Sequence, residues 1–300
     1  MNPLGTVLVG VDGSPASARA LRWAAEQAGS GAEIHVLHAF SPALELTLAA
    51  MQQNWNPIRD RSLDDLAGDW TDPAREVGAS VETHFIDDDP ADGIIAMIEA
   101  AEADTIVIGP HGNGHGPAVG LGSVTRRLLH ASPVPVIIVD GAEDETSESA
   151  RAPFVLACVG YGSASANAAD WAAQYASERG LPLVILHVVS YRPIFPFAPP
   201  TDMLAYYLGG DVSETWAQDD LDEIRKRIGA AHPNLQITTE VGHGSAAKGI
   251  AKISAGAELV VIGRLQHAGL ASCVISTRTK AIITGVSAPV AVIPSCSTRT

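Results

Sequence analysis

The chain has 300 residues, of which 46% are hydrophobic and 18% charged; that balance excludes the disordered and fibrous classes and leaves room for two cores. A formal net charge of −15 argues against nucleic acid as a partner, because phosphate backbones are held by a basic footprint. No apolar run reaches the ~18–20 residues that span a bilayer, and Met1-Asn2-Pro3-Leu4 lacks the basic-then-apolar order of a signal peptide, so the expectation is a cytoplasmic protein that makes no membrane contact.

Taken in chain order, strands are expected near 6–12, 33–40, 80–86, 104–109 and 135–139, with helices near 16–29, 57–78, 90–102 and 123–131. Further strands fall near 153–159, 182–189, 235–241, 258–263 and 289–293. Short β-branched runs alternating with longer helical patterns imply an α/β fold, a parallel sheet covered on both faces. Thr105–Ile108 and Leu259–Ile262 are apolar or β-branched without alternation, as strands buried on both faces must be.

The chain repeats itself once. Ala32–Phe40 (AEIHVLHAF) aligns with Leu181–Val189 (LPLVILHVV), setting His38 on His187, and Asp104–Gly109 (DTIVIG) aligns with Glu258–Gly263 (ELVVIG). Ser132–Val139 (SPVPVIIV) aligns with Val286–Ile293 (VSAPVAVI), and the acidic stretch Gly141–Ala152 has the composition of a linker. Two tandem Rossmann-like domains, 1–145 and 150–300, are therefore expected, each with five parallel strands in the order 3-2-1-4-5. The charge divides unevenly: residues 1–145 hold 7 Lys+Arg against 22 Asp+Glu, whereas residues 146–300 hold 12 of each.

In the order 3-2-1-4-5 the first and fourth strands are neighbours, and a crevice opens at their carboxyl ends. Two segments feed it in the first copy. One is Val9-Gly10-Val11-Asp12-Gly13-Ser14-Pro15; the other is the loop Gly109–Ser123, with glycines at 109, 112, 114, 116, 120 and 122. Glycines free the backbone to take positive φ and approach a ligand closely. A helix starting at Gly122-Ser123 presents free N–H groups and the positive end of its dipole, which suits a phosphate. Ser123 is placed to N-cap that helix or to donate to a phosphate oxygen, and Asp12 either N-caps the first helix or accepts ribose hydroxyl protons. The loop is neither a Walker loop, which needs Gly-Lys-Ser/Thr, nor the dinucleotide fingerprint, which follows the first strand. A flexible glycine-rich connector is the plain alternative.

The spacing Gly109-x2-Gly112-x9-Gly122-Ser123, with VGVDGSP at the first strand and SPVPVIIV at the last, resembles the universal stress protein family over nearly the whole chain. The resemblance implies the family's adenine nucleotide alpha hydrolase-like fold and ATP in the crevice. It further implies that Asp12 contacts the adenosine end, that main chain at Gly10 and Ala39 borders the base, and that Gly109, Gly112, Gly122, Ser123 and Val124 cradle the phosphates. Val11, between Gly10 and Asp12, and Gly114, within the loop, join this set. Mg²⁺ on the phosphates offsets the acidic surroundings with few protein ligands. Arg126 and Arg127 are the nearest basic residues in sequence, each facing either a phosphate or solvent.

In the second copy Tyr161 replaces Asp12, Gln266 replaces Gly112, Ser276 replaces Gly122 and Thr277 replaces Ser123, with only Gly263 retained. One nucleotide per chain is the expectation. No GxSxG, HExxH or Cys/His cluster is present; Cys158, Cys273 and Cys296 are widely spaced. The reading is a regulatory, non-enzymatic ATP-binding protein of the stress response, with a slow ATPase or a nucleotide-free scaffold as alternatives. His111 and His115 lie in the phosphate loop, either assisting an anion when protonated or standing as ordinary exposed loop histidines; the aromatic, proline-rich stretch 190–210 is either a lid or a contact surface for an unknown protein partner or second subunit, or a set of core-packing aromatics, a homodimer being expected.

Overall fold

The computed structural model describes residues 3–29, 33–41, 56–113, 120–140, 152–160, 163–189, 212–264 and 276–295. Gly114, His115, Tyr161, Gln266, Cys273, Cys296, linker residues 141–151 and the stretch 190–210 lie outside them. The chain divides into two compact units at Gly141/Ala142.

In the first unit β1 (Val7–Gly10) leads into helix α1 (Pro15–Ala28), then β2 (Glu33–Phe40), α2 (Asn56–Ala67), the single turn α3 (Asp72–Arg75) and β3 (Ser80–Asp87). Helix α4 (Pro90–Ala100), β4 (Thr105–Ile108), α5 (Ser123–Ala131) and β5 (Val136–Ile138) complete it. The strands are parallel and ordered β3-β2-β1-β4-β5. Val7 pairs with Ile34 on one side and Thr105 on the other. All four residues of both β1 and β4 are buried, as strands covered on two faces require. Helix α1 covers the sheet with Ala16, Ala20, Leu21, Ala24 and Ala25, small side chains that let the helix lie close to the strands.

The expected helix over 57–78 is two helices. Gly68 ends α2 with its amide on the Asp64 carbonyl (3.0 Å), the Thr71 hydroxyl donates to the Gly68 carbonyl (2.9 Å), and Pro73 starts α3. A proline in the first turn loses nothing there, whereas in a continuous helix it would remove an internal hydrogen bond.

The second unit repeats the plan with β6 (Phe154–Val159), α6 (Ser163–Arg179), β7 (Leu183–Val189), α7 (Val212–Ala231) and β8 (Ile237–His243). Helix α8 (Ala246–Ile253), β9 (Ala257–Gly263), α9 (Thr277–Ile283) and β10 (Val290–Ile293) follow. Its parallel strands run β8-β7-β6-β9-β10, the same 3-2-1-4-5 order. Ala168, Ala169, Ala172, Ala173 and Tyr175 of α6 are fully buried.

Candidate functional site

The carboxyl ends of β1 and β4 lie side by side, and the chain leaving each one folds toward the other. Beyond β1, Ser14 N-caps α1 by accepting the Ser17 amide on its hydroxyl (3.1 Å). Asp12 is therefore not the cap of this helix. Its Oδ1 accepts the Ser14 amide (3.1 Å) and its Oδ2 accepts the Asn113 amide (2.8 Å) from the loop after β4. The Asn113 side chain returns a hydrogen bond to the Asp12 carbonyl (2.9 Å). Asp12 thus joins the two segments that the sequence directs into the crevice.

Three of the described loop glycines lie against protein atoms. A Cβ on Gly112 would lie 1.9 Å from Asp12 Oδ2; one on Gly109 would meet Ala16 of α1 at 3.0 Å, and one on Gly122 would meet the His111 Cα at 3.3 Å. The expectation of positive φ holds only at Gly120 (φ +92°) among the described loop glycines; 109, 112 and 122 have no left-handed backbone and lie instead close against neighbouring atoms, most tightly at Gly112. The Gly122 amide donates to the Pro110 carbonyl (2.8 Å), and the buried Thr125 hydroxyl donates to the Gly109 carbonyl (3.0 Å), tying the start of α5 to the end of β4.

Gly122, and not Ser123, is the N-cap of α5: its backbone is extended (φ −61°, ψ 163°), its carbonyl accepts the Arg126 amide (3.0 Å), and among the described residues no side chain caps the helix. Ser123 is the first helical residue and is exposed. The second unit differs at the same point. Ser276 N-caps α9 with its hydroxyl accepting the Thr279 amide (3.0 Å). A helix end whose donors meet no side chain keeps them for a ligand or water, whereas a capped end has committed one.

Of the two arginines, Arg127 pairs with Asp89 (3.1 Å) and with Asp92 at the start of α4. Arg126 is exposed and forms no ion pair among the described residues. Arg59, at the carboxyl end of the sheet, holds Asp87 through two hydrogen bonds of 2.9 Å and lies over the Phe85 ring; that contact keeps the Asp87 carboxyl below its ordinary range. Val11 is buried with its amide on the Leu37 carbonyl (2.9 Å), and its carbonyl meets His38 Nδ1 (2.8 Å). Ala39 is half-buried on β2, and Gly10 ends β1 with its α-hydrogen side against Ile94.

Trp70 is a neighbour of the crevice that sequence reasoning missed. Gly13 has φ +74°, and a Cβ there would lie 2.6 Å from the Trp70 ring, which stands edge-on to His38 at 4.9 Å. The break between α2 and α3 turns Trp70 toward that glycine. Gly13 alone signals the turn in the sequence, without naming what packs on it.

The model of the universal stress protein family matches residues 3–140 and 155–294. A universal stress protein of Mycobacterium tuberculosis is 29% identical over 279 residues, covering 90% of each chain. One from Mycolicibacterium smegmatis is 27% identical over 308 residues and covers 96% of each. The crystal structure of a universal stress protein from Archaeoglobus fulgidus superposes with a TM-score of 0.68 at 19% identity, covering 96% of each chain, a likeness of fold.

Proposed function

Because the chain belongs to the universal stress protein family, we propose that it is an ATP-binding regulatory protein of the stress response, with one nucleotide held by the first unit. The observation that carries this reading is the start of α5, which no side chain among the described residues caps and which follows the loop that holds the Asp12–Asn113 junction; the matching helix of the second unit is capped by Ser276. The donor set suits a polyphosphate. The first-turn amides at Ser123 and Val124, with main chain at Gly109, Gly112 and Gly114, would hold the phosphates, and exposed Arg126 adds positive charge. Asp12 accepts one amide on each carboxylate oxygen and retains lone pairs for ribose hydroxyls. Gly10, Val11 and Ala39 would border the base. Mg²⁺ would supply charge compensation on the phosphates.

Regulation in this scheme needs no chemical step: the nucleotide biases two states by its differential affinity for them. A cytoplasmic homodimer belongs to the same reading. A second reading, a nucleotide-free scaffold, draws on the glycines, since Gly109, Gly112 and Gly122 already pack closely against Ala16, Asp12 and His111. Native mass spectrometry of the purified full chain separates the two and reports subunit number. One ATP per chain, with calorimetric affinity for Mg-ATP above that for AMP and cyclic AMP, supports the first reading. Two per chain overturns the single site, and no uptake of added Mg-ATP establishes the scaffold.

A further inference from the structure

A second cluster sits toward the amino-terminal end of the first unit's sheet, away from Asp12. His35 on β2 is in register with Glu82 on β3, and His84 follows two residues later beside Leu37. Alternation along a strand places positions i and i+2 on one face, so His35, Glu82 and His84 converge. His35 Nδ1 is 2.9 Å from His84 Nε2 and 3.4 Å from Glu82 Oε2; Glu82 Oε1 is 3.8 Å from His84 Nε2. The carboxylate straddles both imidazoles.

We propose that His35, Glu82 and His84 form a binding site for a divalent transition-metal ion of the zinc type. Zinc bonds of about 2.0–2.1 Å in a tetrahedron set donor atoms roughly 3.3 Å apart, and the three separations bracket that value. Two imidazoles and one carboxylate favour zinc over magnesium or calcium, which take oxygen ligands. Each imidazole binds through the nitrogen already facing the centre and carries its proton on the other.

The three side chains line a groove of about 800 Å³ together with Gly5, Thr6, Glu33, Met97, Ala101 and Glu102. Water or a small ligand enters there, and two further acidic residues favour a cation. The second unit is an internal contrast. His38 aligns with His187, so His35 falls on Val184, whose register partner is Thr238, followed by Glu240 beside Leu186. The trio belongs to one unit only, and its residues have no part in the nucleotide reading. A metal there staples β2 to β3.

The test uses full-length protein stripped with a chelator and titrated with Co²⁺, then with competing Zn²⁺. The expected result is one Co²⁺ per chain with the intense visible bands of four-coordinate geometry, displaced by Zn²⁺, and a rise in melting temperature with Zn²⁺. Glu82→Gln, at a half-exposed side chain, and His84→Gln should each weaken Zn²⁺ at least tenfold and abolish the thermal shift, with folding checked by circular dichroism. His130→Gln, on an exposed helix face, should change neither. Wild-type Zn²⁺ affinity in folded Glu82→Gln, or the absence of four-coordinate Co²⁺ bands from the parent protein, overturns the proposal.

Discussion

Asp12 and Asn113, 101 residues apart, hold each other through two hydrogen bonds, the Asn113 amide on Asp12 Oδ2 at 2.8 Å and the Asn113 side chain on the Asp12 carbonyl at 2.9 Å. A methyl group on Gly112 would lie 1.9 Å from that same oxygen. Gly112→Ala should therefore break the junction. Losing a charge-assisted hydrogen bond costs about 1.5–3 kcal/mol where it is buried, and this one is exposed, so about 1 kcal/mol of stability is expected from urea unfolding. If the junction shapes the nucleotide site, calorimetric ATP affinity falls at least tenfold. Unchanged affinity would separate the junction from the site.

Gly13 and Trp70 give a second test. A left-handed backbone costs a non-glycine residue about 1–2 kcal/mol, and the Trp70 ring leaves no room for a Cβ. Gly13→Ala should lose about 2 kcal/mol or more and alter tryptophan emission. In a Trp70→Ala background the steric part disappears and the backbone part remains. The coupling measured by the double-mutant cycle is the steric share, and zero coupling would refute the packing of ring on glycine.

The layout of both sheets was legible because it rests on local pattern. Thr105–Ile108 and Leu259–Ile262 read as central strands from their unbroken apolar character, and they lie between β1 and β5 and between β6 and β10. What depends on contacts far along the chain was not legible. The apolar pattern runs on through 57–78, but the Thr71 hydroxyl on Gly68 and the position of Pro73 divide it. The loop glycines read as freedom of φ, whereas space beside Ala16, Asp12 and His111 accounts for three of them. Glu82 and His84 show the two-residue spacing of one strand face, but only the register with β2 brings His35 to them.

The two helix starts differ in a way that substitution separates. Ser276 accepts the Thr279 amide as the cap of α9, so Ser276→Ala should cost about 1 kcal/mol and leave ATP binding untouched. Ser123 is exposed inside the first turn of α5. Ser123→Ala should change stability by less than about 0.5 kcal/mol while lowering ATP affinity severalfold. Chemical denaturation and calorimetry on the same two proteins check both halves. The reverse pattern would assign the cap and the ligand contact to the wrong serines.

His187 makes stability in acid a readout of the second unit's core. It is 3% exposed on β7, its register partners Val159 and Val241 are apolar, and burial lowers its pKa against the opposing charge of Asp220 on α7. With the folded pKa below the unfolded value near 6.5, both states are neutral at pH 7.5 and the histidine carries no penalty. As pH falls below 6.5 the unfolded chain takes up a proton that the folded chain still refuses, so stability falls. The slope for one group is at most about 1.4 kcal/mol per pH unit, and each kcal/mol moves the melting temperature of a domain this size by about 2–4 °C. Between pH 7.5 and 5.5 the wild type should lose a few degrees more than His187→Gln, whose side chain does not titrate in that window. Equal losses in the two proteins would mean that His187 takes up its proton as readily folded as unfolded.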